Sequence, residues 1–509
     1  MRKQVEAIWV KYDTGSPPLS LSRADKMGMP IIEGHTLHRP EDFQQLAPGH
    51  FQKGAMTQKS SQSVRVGIIG GGAAGIIAAK NLRDVGHDVV VFEKSAHLGG
   101  IWKYDEAADA PSSVLYKSLH TNLPTSVMQL KGFAFPDGLP SYPSHADVLE
   151  YLQSYAKHYG VDQFARTNSE VTNVTKVDNL WKISVKSKDK GEYDEEFDRL
   201  VVCNGHFNKP VHASIKGIEN FKGVVSHARS YRTPEPYQGK RVLVIGRGPS
   251  GQDISLELAQ SGVKEVYVAA LDYDPSIVDK KDKRQMKPIV DRIAEDGTVV
   301  FTDGSSITSP DEIMHCTGYL YTVNDFFPTE LLYPKVGVRP NSVSNEVAED
   351  LSTATTEGTV VAPAYKHLFL IEDPTAVFIG LPFANLPFLC FELQSKWAAR
   401  VFDGSVSLPS KEEMYTDFYD SVSKLDGPAR KLHSLRGLQN DYFTELASRS
   451  GTVVDENIHE MFADAAYLRV NFPHDFRTAE FRQDTATGKW VRRIKPNDDS
   501  AETLEKTFS

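Results

Sequence analysis

The sequence predicts an α/β fold, and three observations carry that prediction. A short apolar run, Val64-Arg65-Val66-Gly67-Ile68-Ile69, leads directly into a turn made of glycines and then a helical stretch. The same strand, glycine turn and helix recur from Arg241-Val242-Leu243-Val244-Ile245 onward. Between them, Val171 to Val202 switches to alternation, with Trp181, Ile183 and Val185 at every second position, which predicts an antiparallel meander. Apolar runs of this length suit parallel strands buried on both faces.

In chain order, residues 1–62 are polar, carry Pro17-Pro18 and show no periodicity, so they read as an extension, partly disordered or draped over the body. A helix is expected over Ala73 to Val85 and a second strand over Asp88 to Phe92. Ser144-His145-Ala146-Asp147 has the form of a capping box opening a helix to about Tyr159, with Val148, Leu152, Tyr155 and Tyr159 on one stripe. Leu200-Val201-Val202-Cys203 is a further strand. After the second glycine turn a helix runs from about Ser250 to Ser261, and Asp311 to Tyr319 ends that unit. A strand at Ala376–Ile379 and a helix at about Phe391–Phe402 return to the first unit. The tail after about 475 is charged and polar and reads as frayed. The expected division is 1–62 extension, 63–208 first unit, 209–324 second unit, 325–430 return to the first, and 431–509 C-terminal extension.

Composition narrows the function. The 509 residues give room for several domains. A formal net charge of −10 argues against nucleic acid as a partner. Cys203, Cys316 and Cys390 are an odd, widely spaced set without C-x-x-C, which removes a disulfide scaffold, a zinc ribbon and a dithiol centre. No metal site is expected. No apolar run approaches the roughly 18 residues of a membrane span, and Met1–Asp13 has no apolar signal core, so the cytoplasm is the expected location.

The first turn is Gly70-Gly71-Gly72-Ala73-Ala74-Gly75, a G-x-G-x-x-G pattern. Gly70 allows the tight turn, Gly72 lets a pyrophosphate approach the backbone, and Gly75 lets helix and strand pack closely. An acid about 20 residues on should hold ribose hydroxyls, and Glu93, followed by Lys94, stands there. The second turn is Gly246-Arg247-Gly248-Pro249-Ser250-Gly251. Its matching acid position is Ala269, and Val268-Ala269-Ala270-Leu271 holds no arginine for a 2′-phosphate. Lys280, Lys281, Lys283 and Arg284 either supply that charge or form a solvated loop. Two Rossmann-like dinucleotide-binding domains in one chain have a direct meaning: one holds a flavin, the other a nicotinamide, and hydride passes between them.

Phe221-Lys222-Gly223-Val224-Val225-Ser226-His227-Ala228-Arg229-Ser230-Tyr231 spells F-x-G-x-x-x-H-x-x-x-Y. With both glycine turns, in this order, it resembles the fingerprint of flavin-containing monooxygenases, the class B flavoprotein monooxygenases. The likeness runs from Val64 to about Met414. It includes Gly99-Gly100-Ile101-Trp102, Thr121-Asn122, Asn204-Gly205-His206, Cys316-Thr317-Gly318-Tyr319 and Glu392 to Trp397.

The resemblance implies an FAD domain with an inserted NADPH domain. It implies a C4a-hydroperoxyflavin, formed with O2, that passes one oxygen to a nucleophilic nitrogen or sulfur of a small molecule. Asn122 is then the catalytic amide beside the flavin. The implied cofactor-binding residues are Gly70, Gly72, Ala74, Gly75, Glu93, Lys94, Gly100, Trp102, Thr121, Asn122, Gly246, Gly248, Ser250, Gly251, Thr317 and Gln394. Trp102 packs against the flavin or is a core aromatic; Gln394 reaches the flavin edge or caps a buried carbonyl. His227 is read as a structural or gating residue rather than an acid or base. A Baeyer–Villiger enzyme acting on a ketone is the alternative, but that fingerprint usually ends in Trp followed by Pro or Asp, and this one ends Tyr231-Arg232. A disulfide reductase lacks its cysteine pair, and a non-enzymatic flavoprotein scaffold and a homo-oligomer both stay open.

Overall fold

The computed structural model describes residues 63–107, 113–274, 282–332, 344–494 and 503–508. The extension expected at 1–62 lies outside them.

Among the described residues the first elements are β1 (Arg65–Ile69), α1 (Ala73–Asp84) and β2 (Asp88–Phe92). After an intervening stretch come β3 (Arg199–Val202), then β4 (Arg241–Ile245), α2 (Pro249–Gln260), β5 (Glu265–Ala269) and β6 (Glu312–His315). The first sheet has the order Ala364–Tyr365, Phe369–Leu370, Ala376–Phe378, β3, β1, β2, Ala165–Arg166. Its last five strands are mutually parallel. The second sheet has the order Gln285–Lys287, β5, β4, β6, Val224–His227 and is parallel throughout. β1 lies between β2 and β3, and β4 between β5 and β6. Strand order reverses at each, so a crevice opens at the carboxyl end of each, where Gly70 and Gly246 stand.

The apolar runs behave as buried strands. Val66, Ile68, Val242 and Val244 have no solvent exposure. The alternating segment forms three antiparallel strands, Ser169–Val177, Leu180–Ser187 and Gly191–Phe197. Trp181, Ile183 and Val185 are buried on its inner face against Phe92, Leu200 and Phe378, and the Trp181 indole N–H donates to Thr375 Oγ1 at 2.9 Å. The capping box is present at the helix His145–His158: Ser144 Oγ accepts from Asp147 N, and Asp147 Oδ2 accepts from Ser144 N at 2.8 Å.

Two sequence expectations need correction. The helix expected from Phe391 is α3 (Pro387–Phe402) and starts four residues earlier. Pro387 reads as a breaker but sits at the first helical position, where its missing N–H costs nothing. The described residues of the tail, 476–494 and 503–508, are ordered rather than frayed. The helices α4 (Gln439–Ser450) and α5 (Glu456–Asn471) lead into antiparallel strands Glu480–Gln483, Trp490–Ile494 and Leu504–Thr507. Phe476, Ala479, Phe481, Ile494 and Phe508 are buried in the same core as α1 and α3. Arg492 and Lys506 close on the buried carboxylate of Asp464 at 2.9 and 3.1 Å. Exposed Glu480, Arg482 and Arg493 flank buried Phe481 and Ile494, so average polarity hid the buried positions.

Among the described residues no helix is long and apolar enough to cross a membrane, and no group of His, Cys, Asp and Glu could hold a metal ion.

Several histidines are buried as neutral rings. His227 and His315 have their pKa pushed down to about 4, chiefly by burial. An unfolded histidine titrates near 6.5. Between about pH 6.5 and 4 the unfolded chain therefore binds more protons, so stability present above 6.5 is lost as pH falls, by up to about 1.4 kcal/mol per pH unit for each ring. The melting temperature should drop steadily from pH 7 to pH 5. His315→Asn, whose amide can still accept from Ala213 N as Nδ1 does at 3.1 Å, should flatten the decline; a pH-independent melting temperature in the parent protein contradicts this.

Candidate cofactor and active site

The first turn is built where backbone meets backbone. Gly70 has φ +102°, and a Cβ there would lie 2.4 Å from the Cys203 carbonyl oxygen. A Cβ on Gly75 would lie 1.9 Å from the Gly70 carbonyl oxygen. These two glycines are required by the fold itself. Gly72 differs: its Cβ would meet nothing nearer than Gly100 Cα at 3.6 Å. Gly72 and Gly100 face each other across bare backbone at the start of α1, whose N-terminus has no side-chain cap. The result is a groove of exposed amide character that a side chain would fill and an anion fits.

Glu93 is buried at the end of β2. Its Oε2 accepts from Gly71 N at 2.7 Å and its Oε1 from Ser95 N at 2.8 Å. The carboxylate is thereby locked against the turn, with lone pairs left for ribose hydroxyls. Lys94 is exposed and Ala74 half-buried in α1. Trp102 ends the short turn Gly100–Trp102, half-buried against the main core.

Of the two readings of Gln394, its hydrogen bonds match the capping of a buried carbonyl. It is fully buried in α3, where Oε1 accepts from Gly380 N at 3.0 Å and Nε2 donates to Tyr442 Oη at 2.8 Å and to His367 O at 3.5 Å. Both donors are committed inside the protein, so the side chain ties α3 to α4.

The second turn repeats the first. Gly246 has φ +99° and a Cβ there would lie 2.7 Å from the Cys316 carbonyl oxygen; on Gly251 it would lie 2.0 Å from the Gly246 carbonyl oxygen. Gly248 has open space around it, and α2 begins immediately after it without a side-chain cap. Ser250 is half-buried in the first turn of α2. Thr317 Oγ1 donates to the Val211 carbonyl. His227 Nδ1 accepts from Arg229 N at 3.0 Å, so Nε2 carries the proton and donates to Gly318 O at 3.1 Å. The fingerprint histidine is thus a neutral tie between Val224–His227 and the 316–318 loop.

Asn122 shares a small cavity with Pro249, Gln252 and Asp253 of α2 and with Phe476. Thr121, beside it, is buried and bonds its own loop through Leu123 O at 2.8 Å. The residue that joins these walls was not visible in the sequence. Arg477 donates to the backbone carbonyls of Thr121 at 3.0 Å and His120 at 3.3 Å, and pairs with Asp253 at 2.6 Å. Tyr116 Oη donates to the same carboxylate at 2.9 Å. Tyr231, last residue of the fingerprint, donates to Glu257 of α2 at 2.8 Å. The asparagine loop, α2 and the C-terminal segment are therefore pinned together at one carboxylate. Burial pushes the thiols of Cys203, Cys390 and Cys316 up, the last to about 12. Protonated thiols supply no nucleophile for disulfide reduction.

The family model "Flavin-binding monooxygenase-like" matches residues 63–273. "Flavin-containing monooxygenase FMO GS-OX-like 1" of Arabidopsis thaliana is 34% identical over 86% of this chain and 98% of its own length. "FMO GS-OX4" of the same plant is 36% identical over 82% of this chain and 91% of its own. Among solved structures, S-allyl-L-cysteine S-oxygenase from Allium sativum superposes with a TM-score of 0.73 at 33% identity, covering 82% of this chain and 95% of that one. Tmm from a Pelagibacter strain shares the fold at 22% identity and a TM-score of 0.68.

The two kinds of glycine are separable by mutation. Gly72→Ala should cost only about 1 kcal/mol as a helix N-cap yet weaken FAD binding at least about 30-fold, the loss of one backbone contact to a charged group. Gly75→Ala should destabilise the protein by about 3 kcal/mol or more, because backbone cannot give way. Apo melting curves and FAD titration check both; a Gly72→Ala protein that retains full FAD contradicts the groove assignment.

Proposed function

Because the chain belongs to the flavin-containing monooxygenase family and is a monooxygenase using FAD and NADPH, we propose that it transfers one oxygen atom of O2 to the thioether sulfur of a small molecule. The observation that carries this is the Asn122 cavity, set between the asparagine loop and α2, two walls that Arg477 ties together. The S-oxygenase relative favours sulfur over nitrogen as the acceptor.

In this reading the unit carrying β1, residues 63–208 with 325–430, holds FAD. The unit carrying β4, residues 209–324, holds NADPH. Gly72, Gly100 and the N-terminus of α1 take the FAD pyrophosphate, and Glu93 accepts the ribose hydroxyls. Gly248, Ser250 and the N-terminus of α2 take the pyrophosphate of NADPH. When bound, FAD supplies hydride acceptance and the activation of O2. The protein's own task is positioning. The neutral Asn122 amide donates hydrogen bonds without adding charge beside the reacting atoms. Arg477 holds the asparagine loop against α2. His227, with both ring nitrogens engaged and its pKa near 4, moves no proton at neutral pH and instead fixes the loop that carries Thr317.

A ketone substrate has less in its favour. Arg232, at the position that departs from the ketone-oxidising fingerprint, donates to the carbonyls of Asp105, Ala107 and Ser113 at 2.8, 3.0 and 3.1 Å. It serves as a stitch between the two units.

Purified protein given FAD, NADPH, O2 and, side by side, an alkyl thioether, a tertiary amine and a cyclic ketone should yield sulfoxide as the main product. Lactone as the main product overturns the proposal. Asn122→Ala should go on consuming NADPH while product formation falls about 100-fold and hydrogen peroxide accumulates. Unchanged coupling removes Asn122 from its assigned role.

A further inference from the structure

The nicotinamide unit has one demand that no residue at the expected position meets. A 2′-phosphate needs a cation near the carboxyl end of β5, and Val268 to Leu271 carries none. Lys280 and Lys281 lie outside the described residues. Arg284 is committed elsewhere: it clasps Asp282 at 2.6 Å and donates to Gln252 O at 3.1 Å and Ser255 Oγ at 2.9 Å, which fastens it to the flank of α2.

Arg247 is already at the required place. It stands inside the second turn, between Gly246 and Gly248, and its guanidinium crosses to the carboxylate of Asp272, three residues past β5. β4 and β5 are adjacent and parallel, with Ile245 opposite Ala269. The Arg247–Asp272 pair therefore spans the mouth between their carboxyl ends. In a strand, glycine turn and helix unit, that mouth is where the adenosine ribose lies, its hydroxyls turned toward the second strand. The pair is open to an incoming ligand, with side chains 27% and 22% exposed. Arg247 Nε is buried and meets no hydrogen-bond acceptor among the described residues. The exposed part of the guanidinium is therefore its outer nitrogens, which can exchange a carboxylate for a phosphate, and the fork geometry of arginine suits phosphate.

We propose that Arg247 recognises the 2′-phosphate of NADPH, and that Asp272 is the anion that holds the guanidinium until phosphate takes its place. The inference rests on the dinucleotide role given above to the second turn. Arg247 is the specificity residue, and Asp272 opposes it by placing a like charge beside the phosphate.

The test uses the full chain loaded with FAD and measures dissociation constants for NADP+, NAD+ and 2′,5′-ADP by calorimetric titration. Arg247→Gln should raise the constants for NADP+ and 2′,5′-ADP at least about ten-fold, the loss of one charge-assisted contact, and leave NAD+ within about two-fold. Asp272→Asn should tighten NADP+ and leave NAD+ unchanged. Arg247→Lys, which keeps charge without the fork, should fall between parent and Gln variant. Retained FAD content reports an intact fold in each variant. An unchanged ratio of NADP+ to NAD+ affinity in Arg247→Gln overturns the assignment, as does an equal loss for both nucleotides, which marks general damage to the turn. If the parent chain binds neither nucleotide, the role of the second turn fails and takes this inference with it.

Discussion

Within the two glycine turns, four glycines bring the backbone so close to another backbone that a single side-chain carbon cannot be accommodated. Gly70 against Cys203, Gly75 against Gly70, Gly246 against Cys316 and Gly251 against Gly246 would each place a Cβ between 1.9 and 2.7 Å from a carbonyl oxygen. Everything that defines the two cofactor sites follows from those approaches. They bring a helix N-terminus up to the carboxyl end of a central strand. They also leave Gly72 and Gly248 uncovered, and in the proposed reading an anion rather than a side chain completes the surface there. In both turns the first glycine approaches a cysteine carbonyl and the last approaches the first glycine's own carbonyl, so the contacts are backbone to backbone. The constraint is therefore geometric and does not depend on a particular side chain.

Two such units do not make an active site until they are held face to face. Asp253 gathers Arg477 from the C-terminal segment and Tyr116 from the first unit, while Tyr231 reaches Glu257 one helical turn further along. The fingerprint segment and the C-terminal segment thus share one task from opposite sides. In the proposed reading the C-terminal region is part of the chemistry's container. Its buried residues share one core with α1 and α3.

What could be read from the sequence was local. Gly70, Gly72, Gly75 and Glu93 fall within one strand, turn, helix and strand, where spacing fixes geometry. The alternation at Trp181, Ile183 and Val185 is equally local, as is the Ser144–Asp147 box. What could not be read came from distance or from averaging. Arg477 and Thr121 are 356 residues apart, and no pattern links them. Gln394 was recognisable as a helical amide, but its saturation by Gly380 and Tyr442 is a tertiary fact. Phe481 sits between Glu480 and Arg482, so the mean polarity of the tail concealed a strand with one buried face. Arg247 was in plain view within the second turn, yet its meaning depended on Asp272 reaching back to it.

The central claim is that one chain holds two dinucleotides in two separate turns at the same time. Its most direct test is stoichiometric: titrate the apoprotein with FAD to saturation, then titrate the yellow complex with NADP+. The account predicts one FAD and one NADP+ per chain, with FAD retained throughout the second titration. Displacement of FAD by NADP+, or saturation with a single dinucleotide per chain, contradicts it.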